Sequence, residues 1–145
     1  FNLFGSLNVV SAISVVNDYS KDDPTVTALL NTNSGLPVHL VAAHSSDYAL
    51  FELEIIGSKQ AITMRNGGFN WSSRLIVENS RFKGYKNLSK DQYIDGRYME
   101  AMVGAAENIY NAITQGEELL CTGQEACEAH KICRDLLETV LLNTE

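Results

Sequence analysis

The sequence predicts an α+β domain, in which a mostly antiparallel, open-faced sheet of about six strands is covered on one face by two long C-terminal helices. Residues 9–78 show the alternation of apolar and polar side chains that is typical of half-buried strands. Residues 97–142 instead repeat apolar side chains with the helical period of about 3.6. The order of the elements, with all strands before both helices, predicts the α+β class. Helices on one side of the sheet would leave its other face open.

The predicted sheet is organised around residues 49–78. Asn66-Gly67-Gly68 predicts a hairpin turn within this segment, because Asn and Gly adopt positive φ at little cost. Alternating runs predict strands over 51–55, 60–65 and 74–78. Other strands are predicted over 9–16, 25–32 and 37–44, with a short one over 82–85.

Two amphipathic helices are predicted, over 97–115 and 122–142. Gly116 ends the first, and the capping box Thr122-Gly123-Gln124-Glu125 opens the second, because the Thr hydroxyl and the Glu carboxylate satisfy each other's backbone amides. The residues expected to be buried are Ile109 in the first helix and Ala126, Ala129, His130, Cys133, Leu136, Leu137 and Val140 in the second.

Composition limits the classes of function. At 145 residues, 45% apolar and 20% charged, the chain is long enough for one globular domain, which we assign to residues 1–145. A net charge of −7 argues against a nucleic-acid partner, since phosphate binding needs clustered Lys and Arg. No apolar run approaches the roughly 18 residues of a membrane span.

The cysteines favour a reducing compartment. Cys121, Cys127 and Cys133 are an odd set without CxxC spacing, so we expect buried, reduced thiols in a cytoplasmic chain. A metal or redox site is the alternative. The histidines His39, His44 and His130 lie on separate predicted elements, with no spacing typical of metal ligands.

The densest polar cluster at a predicted strand end runs from His44 through Ser45, Ser46 and Asp47 to Tyr48. Binding sites are often built in such loops, although an ordinary polar turn is the alternative. The open sheet face is a second candidate surface. It would carry Leu50, Glu52, Glu54 and Ile56, a mixture that is too apolar for a solvated face and therefore predicts a partner surface. The two glutamates would be about 7 Å apart, which we interpret as part of that surface rather than as an acid/base pair.

Three stretches resemble the C-terminal domain of the Gfo/Idh/MocA oxidoreductases. FELEIIGSKQAI, residues 51–62, is similar to the family's strand–Gly–strand segment, although Gln60 or Ala61 stands where a second Gly is common. NIYNAITQGEELLCTGQE, residues 108–125, is similar to its helix end and following Thr/Ser-Gly motif, and residues 126–137 continue as its final helix. The resemblance implies a fold like the C-terminal domains of dihydrodipicolinate reductase and glyceraldehyde-phosphate dehydrogenase.

The resemblance also implies that this chain is a substrate-binding and dimerisation domain. In the family an N-terminal dinucleotide-binding domain carries the catalytic Lys and His, which places both upstream of Phe1, so no histidine here inherits that role. Residues 46–48 fall where some members place a substrate contact, so the resemblance makes Asp47 and Tyr48 the first substrate-binding candidates, with His44 behind them.

The full-length protein would then use NAD or NADP to oxidise or reduce a sugar, inositol or nucleotide-sugar, as a homodimer paired through the open sheet face. This chain alone would bind no cofactor and be inactive. A catalytically silent sensor of a sugar or dinucleotide and a stand-alone dimerisation module are the alternatives, which the sequence upstream of Phe1 would distinguish.

Overall fold

A computed structural model describes residues 3–20, 23–44 and 46–142. The elements in these residues confirm the α+β class. The strands form two antiparallel sheets, of three and of five strands, rather than one sheet of six. In chain order the elements are β1 Leu7–Ser20, β2 Asp23–Thr32, β3 Pro37–Leu40, β4 Leu53–Ile56, β5 Gln60–Arg65, β6 Asn70–Glu78, β7 Lys86–Leu88, β8 Gln92–Asp95, α1 Ala101–Gln115 and α2 Gly123–Leu142.

The chain divides into two compact units. The first combines Phe1–Ala49 with Glu118–Glu145, and the second is Leu50–Glu117. The first unit contains the sheet β1-β2-β3 and helix α2, and the second contains the sheet of β4 to β8 and helix α1. Strand β3 ends at Leu40, four residues before its predicted end. The next hydrogen bond along the chain, from the Ala42 N–H to Thr27 Oγ1 at 3.1 Å, is made to a side chain.

The core of the first unit lies between one face of its sheet and helix α2. Leu30 pairs with Val9 of β1 and with Val38 of β3, so these three side chains share that face. Leu136 and Val140 of α2 pack against it, and Leu30 is left only 1% exposed. Burying a leucine to this degree contributes about 1.5–3 kcal/mol, so Leu30 anchors the contact between sheet and helix.

The buried stripe of α2 is narrower than the sequence predicted. Ile132, Leu136 and Val140 follow each other at intervals of four residues and contact the core, while Leu137 is half-buried. The prediction was wrong for the four predicted positions that are exposed, namely Ala126, Ala129, His130 and Cys133. The helix presents one line of large side chains to the sheet, and residues beside that line face solvent.

Helix α1 has the predicted apolar stripe, but none of its residues is buried. Ile109 is 54% exposed, so its predicted burial was wrong. Met102 and Ile113 on the same helix are 81% and 79% exposed. The period of the apolar residues shows that a helix is amphipathic, but it does not identify what covers the apolar side. Among the described residues, the apolar stripe of α1 stays largely exposed.

The predicted turn at Asn66-Gly67-Gly68 joins β5 and β6. All three residues have positive φ, of 51°, 66° and 106°. Gly96 packs directly against this turn, where its N–H donates to the Phe69 carbonyl at 2.7 Å. A Cβ at position 96 would lie 1.7 Å from the Gly68 oxygen, so only glycine fits there.

The strand predicted over 82–85 is a turn instead. Asn79 Oδ1 accepts hydrogen bonds from the N–H groups of Arg81 and Phe82, at 2.8 and 2.9 Å. An Asn side chain that captures backbone amides in this way favours a turn over a ladder. The chain resumes pairing in β7 and β8, both of which lie against β6.

The capping box at the start of α2 is confirmed. Glu125 Oε2 accepts hydrogen bonds from the Thr122 N–H at 2.7 Å and from its hydroxyl at 2.9 Å, and the Glu125 N–H donates to Thr122 Oγ1 at 3.2 Å. The backbone hydrogen bond from Thr122, followed by its side-chain hydrogen bond, lowers the pKa of Glu125. These bonds stabilise the ionised carboxylate and fix where the helix begins.

Truncating the α2 core should destabilise the fold strongly. We expect Leu136→Ala to lower the free energy of unfolding by about 2–5 kcal/mol, because it opens a cavity against β1 and β2. Ile113→Ala removes a side chain that is 79% exposed and is the control, with an expected change below about 0.5 kcal/mol. Denaturant unfolding measures both variants, and equal losses would contradict this account of the core.

Acid should weaken the α2 cap. Because the folded-state pKa of Glu125 is lowered, its contribution to stability is present above the unfolded-state pKa and disappears as the pH falls through the folded-state value. Glu125→Gln should therefore melt below the wild type at pH near 7, and the difference should shrink on acidification. Glu128→Gln removes a charge from the same helix outside the cap and is the control. A Glu125→Gln difference that does not change with pH would show that the carboxylate does not act through its charge.

Candidate functional site

The predicted substrate segment forms an exposed turn after β3. The Asp47 N–H donates to the His44 carbonyl at 3.1 Å, which holds these two residues at the ends of the turn. Ser45 lies outside the described residues. His44, Asp47 and Tyr48 are all exposed, so their side chains are accessible to a ligand.

Ser46 orients the His44 imidazole. Its hydroxyl lies 2.7 Å from His44 Nδ1, and its backbone N–H donates to the same nitrogen over 3.4 Å. Because a backbone amide only donates, Nδ1 acts as the acceptor, and a neutral ring then carries its proton on Nε2. The segment thus offers a carboxylate and a phenol beside the oriented imidazole, and both groups hydrogen-bond to hydroxyl-bearing ligands. Its role in substrate binding stays a prediction.

A second candidate site lies on the sheet of the Leu50–Glu117 unit. A polar groove of about 190 Å³ crosses one face of this sheet. Glu54, Thr63, Ser72 and Tyr93 pair in sequence across four strands, which places all four side chains in one row on that face. The full lining is Glu54, Thr63, Arg65, Asn70, Trp71, Ser72, Arg74, Asp91 and Tyr93. We call this the sheet groove.

The sheet groove contains two guanidinium groups and two carboxylates. Arg65 and Arg74 form no ion pair within the described part of the chain, and neither do Glu54 and Asp91. Arg74 is half-buried, and Ala61, directly opposite it in the register, is only 3% exposed. The Arg74 guanidinium has five N–H donors, and none of them forms an ion pair with a carboxylate of the described residues.

Sequence reasoning found only Glu54 of this groove. The other members lie on β5, β6 and β8, or just before β8, and no short motif contains them. A signal was present in the hairpin, since a turn at residues 66–69 pairs Arg65 with Asn70 and Thr63 with Ser72. Following that register across the sheet would have placed these side chains beside Glu54.

Metal ligands, the strand–Gly–helix junction, the cysteines and the hydropathy of the helices were each assigned expectations by the sequence. The described residues contain no group of three or more His, Cys, Asp or Glu side chains that could hold a metal ion. Gly96 lies between β8 and the 3-10 turn Tyr98–Glu100, which precedes α1. The space that a side chain would take at Gly96 is filled by the backbone of Gly68. The prediction of buried thiols was wrong, because Cys121, Cys127 and Cys133 are all exposed and free. No helix among the described residues has the length and hydropathy needed to span a membrane.

Comparison with known proteins identifies the fold. No protein-family model matches the chain, and no curated protein sequence matches it. Among solved structures it is similar to UDP-N-acetylglucosamine 3-dehydrogenase GnnA from Acidithiobacillus ferrooxidans, with a TM-score of 0.69 and 16% sequence identity. The match covers 93% of this chain and 40% of that chain, so this chain spans less than half of its neighbour's length. The likeness confirms the fold that the sequence motifs predicted: this chain has the fold of the C-terminal domain of a Gfo/Idh/MocA oxidoreductase.

Proposed function

We propose that this chain is the substrate-binding and dimerisation domain of a larger, cytoplasmic NAD- or NADP-dependent oxidoreductase. The observation that carries the proposal is the fold likeness to a nucleotide-sugar dehydrogenase over 93% of the chain. The proposed substrate is a sugar, an inositol or a nucleotide-activated sugar. In such a protein the nicotinamide accepts or donates the hydride, and this domain orients the carbon that reacts.

The exposed turn from His44 to Tyr48 supplies the chemistry of substrate binding in this proposal. The Asp47 carboxylate accepts hydrogen bonds from sugar hydroxyls, and the Tyr48 phenol both donates and accepts. The aromatic face of Tyr48, which is 60% exposed, offers a flat apolar surface to a sugar ring. The Ser46 contact holds the His44 imidazole beside these two groups.

Titration with UDP-N-acetylglucosamine, the substrate in the neighbour's name, tests the turn. We expect weak binding, with a dissociation constant of about 1 mM or higher, because a partial pocket makes few contacts. Amide resonances of residues 44–48 should shift in NMR spectra, and Asp47→Ala should abolish the shifts. Asp91→Ala, a matched change in the sheet groove, is the control.

The outcome that contradicts substrate binding at the turn is an unchanged set of resonances at residues 44–48 with saturating sugar nucleotide. NADH and NADPH should bind negligibly to this chain, since a nicotinamide dinucleotide requires a Gly-rich turn between a strand and a helix N-terminus. A low-micromolar dissociation constant for either dinucleotide would contradict that part of the proposal.

We propose further that two copies pair through the sheet face that carries Glu54 and Ile56. Ile56 is 80% exposed in the row Ile56–Ala61–Arg74, beside the row that crosses the sheet groove. Leu50, just before β4, is 53% exposed. Ile56 and Leu50 leave apolar area open to solvent on or just before β4, and a contact with a second copy would bury it.

Light scattering tests the pairing. We expect a dimer that buries about 1,200–2,000 Å² in total, and Ile56→Arg should convert it to a monomer by placing a charge in the contact. Ile113→Arg changes a residue of matching exposure, 79%, on α1 and should leave the dimer intact. A wild-type monomer at high micromolar concentration would contradict the proposal, as would a dimer that tolerates Ile56→Arg.

A further inference from the structure

The sheet groove contains charges of both signs that the chain itself leaves unpaired. Arg74 lies on β6 and Glu54 on β4, two strands apart and in neighbouring rows, so their backbones are about 12 Å apart. Neither forms an ion pair within the described residues. Arg74 is half-buried as a residue and shares a sheet face with the exposed Glu54, so this face presents an unpaired charge of each sign.

We propose that Arg74 of each copy pairs with Glu54 of a second copy of this chain, and that these two reciprocal contacts set the register of the sheet dimer. The inference rests on the proposed dimer and specifies its contact. In a two-fold contact the same surface meets itself, so that if residue i of one copy contacts residue j of the other, then j also contacts i. Arg74 and Glu54 are unpaired, opposite in sign and on separate strands, so each can contact the other residue of a second copy.

Charge complementarity favours a second copy over a small anion. An anion bound by Arg65 and Arg74 would also meet the carboxylates of Glu54 and Asp91 in the same groove. A second copy instead matches each positive group with a negative one. Each chain carries a net charge of −7, so two copies repel at long range, and local pairs of opposite sign offset that repulsion where the sheets meet.

Reversing the charges one at a time and then together tests the pairing. Glu54→Arg alone and Arg74→Glu alone should each weaken the dimer at least about tenfold in sedimentation equilibrium, since each places like charges opposite one another. An equimolar mixture of the two variants should recover association as a heterodimer, because both reciprocal contacts then join opposite charges. Recovery by mixing also shows that both variants fold.

Arg81→Glu is the matched control for Arg74→Glu. It makes the same change in net charge at an exposed residue of the 79–85 turn, and it should leave the dimer constant unchanged. If wild type dimerises but Arg74→Glu dimerises equally well, or if the mixture fails to recover, the pairing is overturned while the sheet dimer stands. If wild type is monomeric, the sheet dimer itself is wrong and the pairing falls with it.

Discussion

The Leu50–Glu117 unit depends on the close approach of Gly96 to the turn between β5 and β6. The Gly96 N–H donates to the Phe69 carbonyl, and the absence of a Cβ lets the two backbones touch. Strand β8 ends one residue earlier, so this contact aligns β8 with β6 and places Tyr93 opposite Ser72. The row that crosses the sheet groove is therefore a consequence of a backbone contact at its end.

Aromatic side chains pack around the turn that Gly96 contacts. Phe69 and Tyr98 lie with ring centroids 4.7 Å apart, and Trp71 Nε1 donates to the Gly68 carbonyl at 3.1 Å. Arg97 is bonded to Glu100 across the 3-10 turn that follows. Together these contacts pack protein groups around the turn between β5 and β6 and hold β8 against the sheet.

Features that depend on residues close in the chain were predicted correctly, and features that depend on contacts between distant elements were not. Positive φ at Asn66 and Gly116 and the cap at Thr122 depend on residues close in the chain, and all three are as the sequence indicates. The burial of Ile109 depends on what lies against α1, which its own periodicity does not encode. The strand predicted over 82–85 failed because the Asn79 side chain captured the amides that a strand would have used.

The two candidate sites differ for the same reason. The turn from His44 to Tyr48 is contiguous in the chain, so its polar groups were visible in the sequence. The sheet groove joins residues that are up to about forty positions apart, and only the cross-strand register brings Glu54 and Tyr93 into one row. Sequence reasoning placed Glu54 with Glu52 on a predicted partner surface and left Arg74 unremarked.

The exposure of the cysteines affects how this protein behaves in air. Cys121 precedes α2, and Cys127 and Cys133 lie on it, all with thiols open to solvent. Accessible thiols on separate molecules are joined by oxidation into covalent cross-links, which a gel without reducing agent would display as ladders of higher mass. Storage without a reductant would thus create disulfide-linked aggregates through the α2 surface, which a thiol reductant reverses and which are unrelated to any contact between sheets.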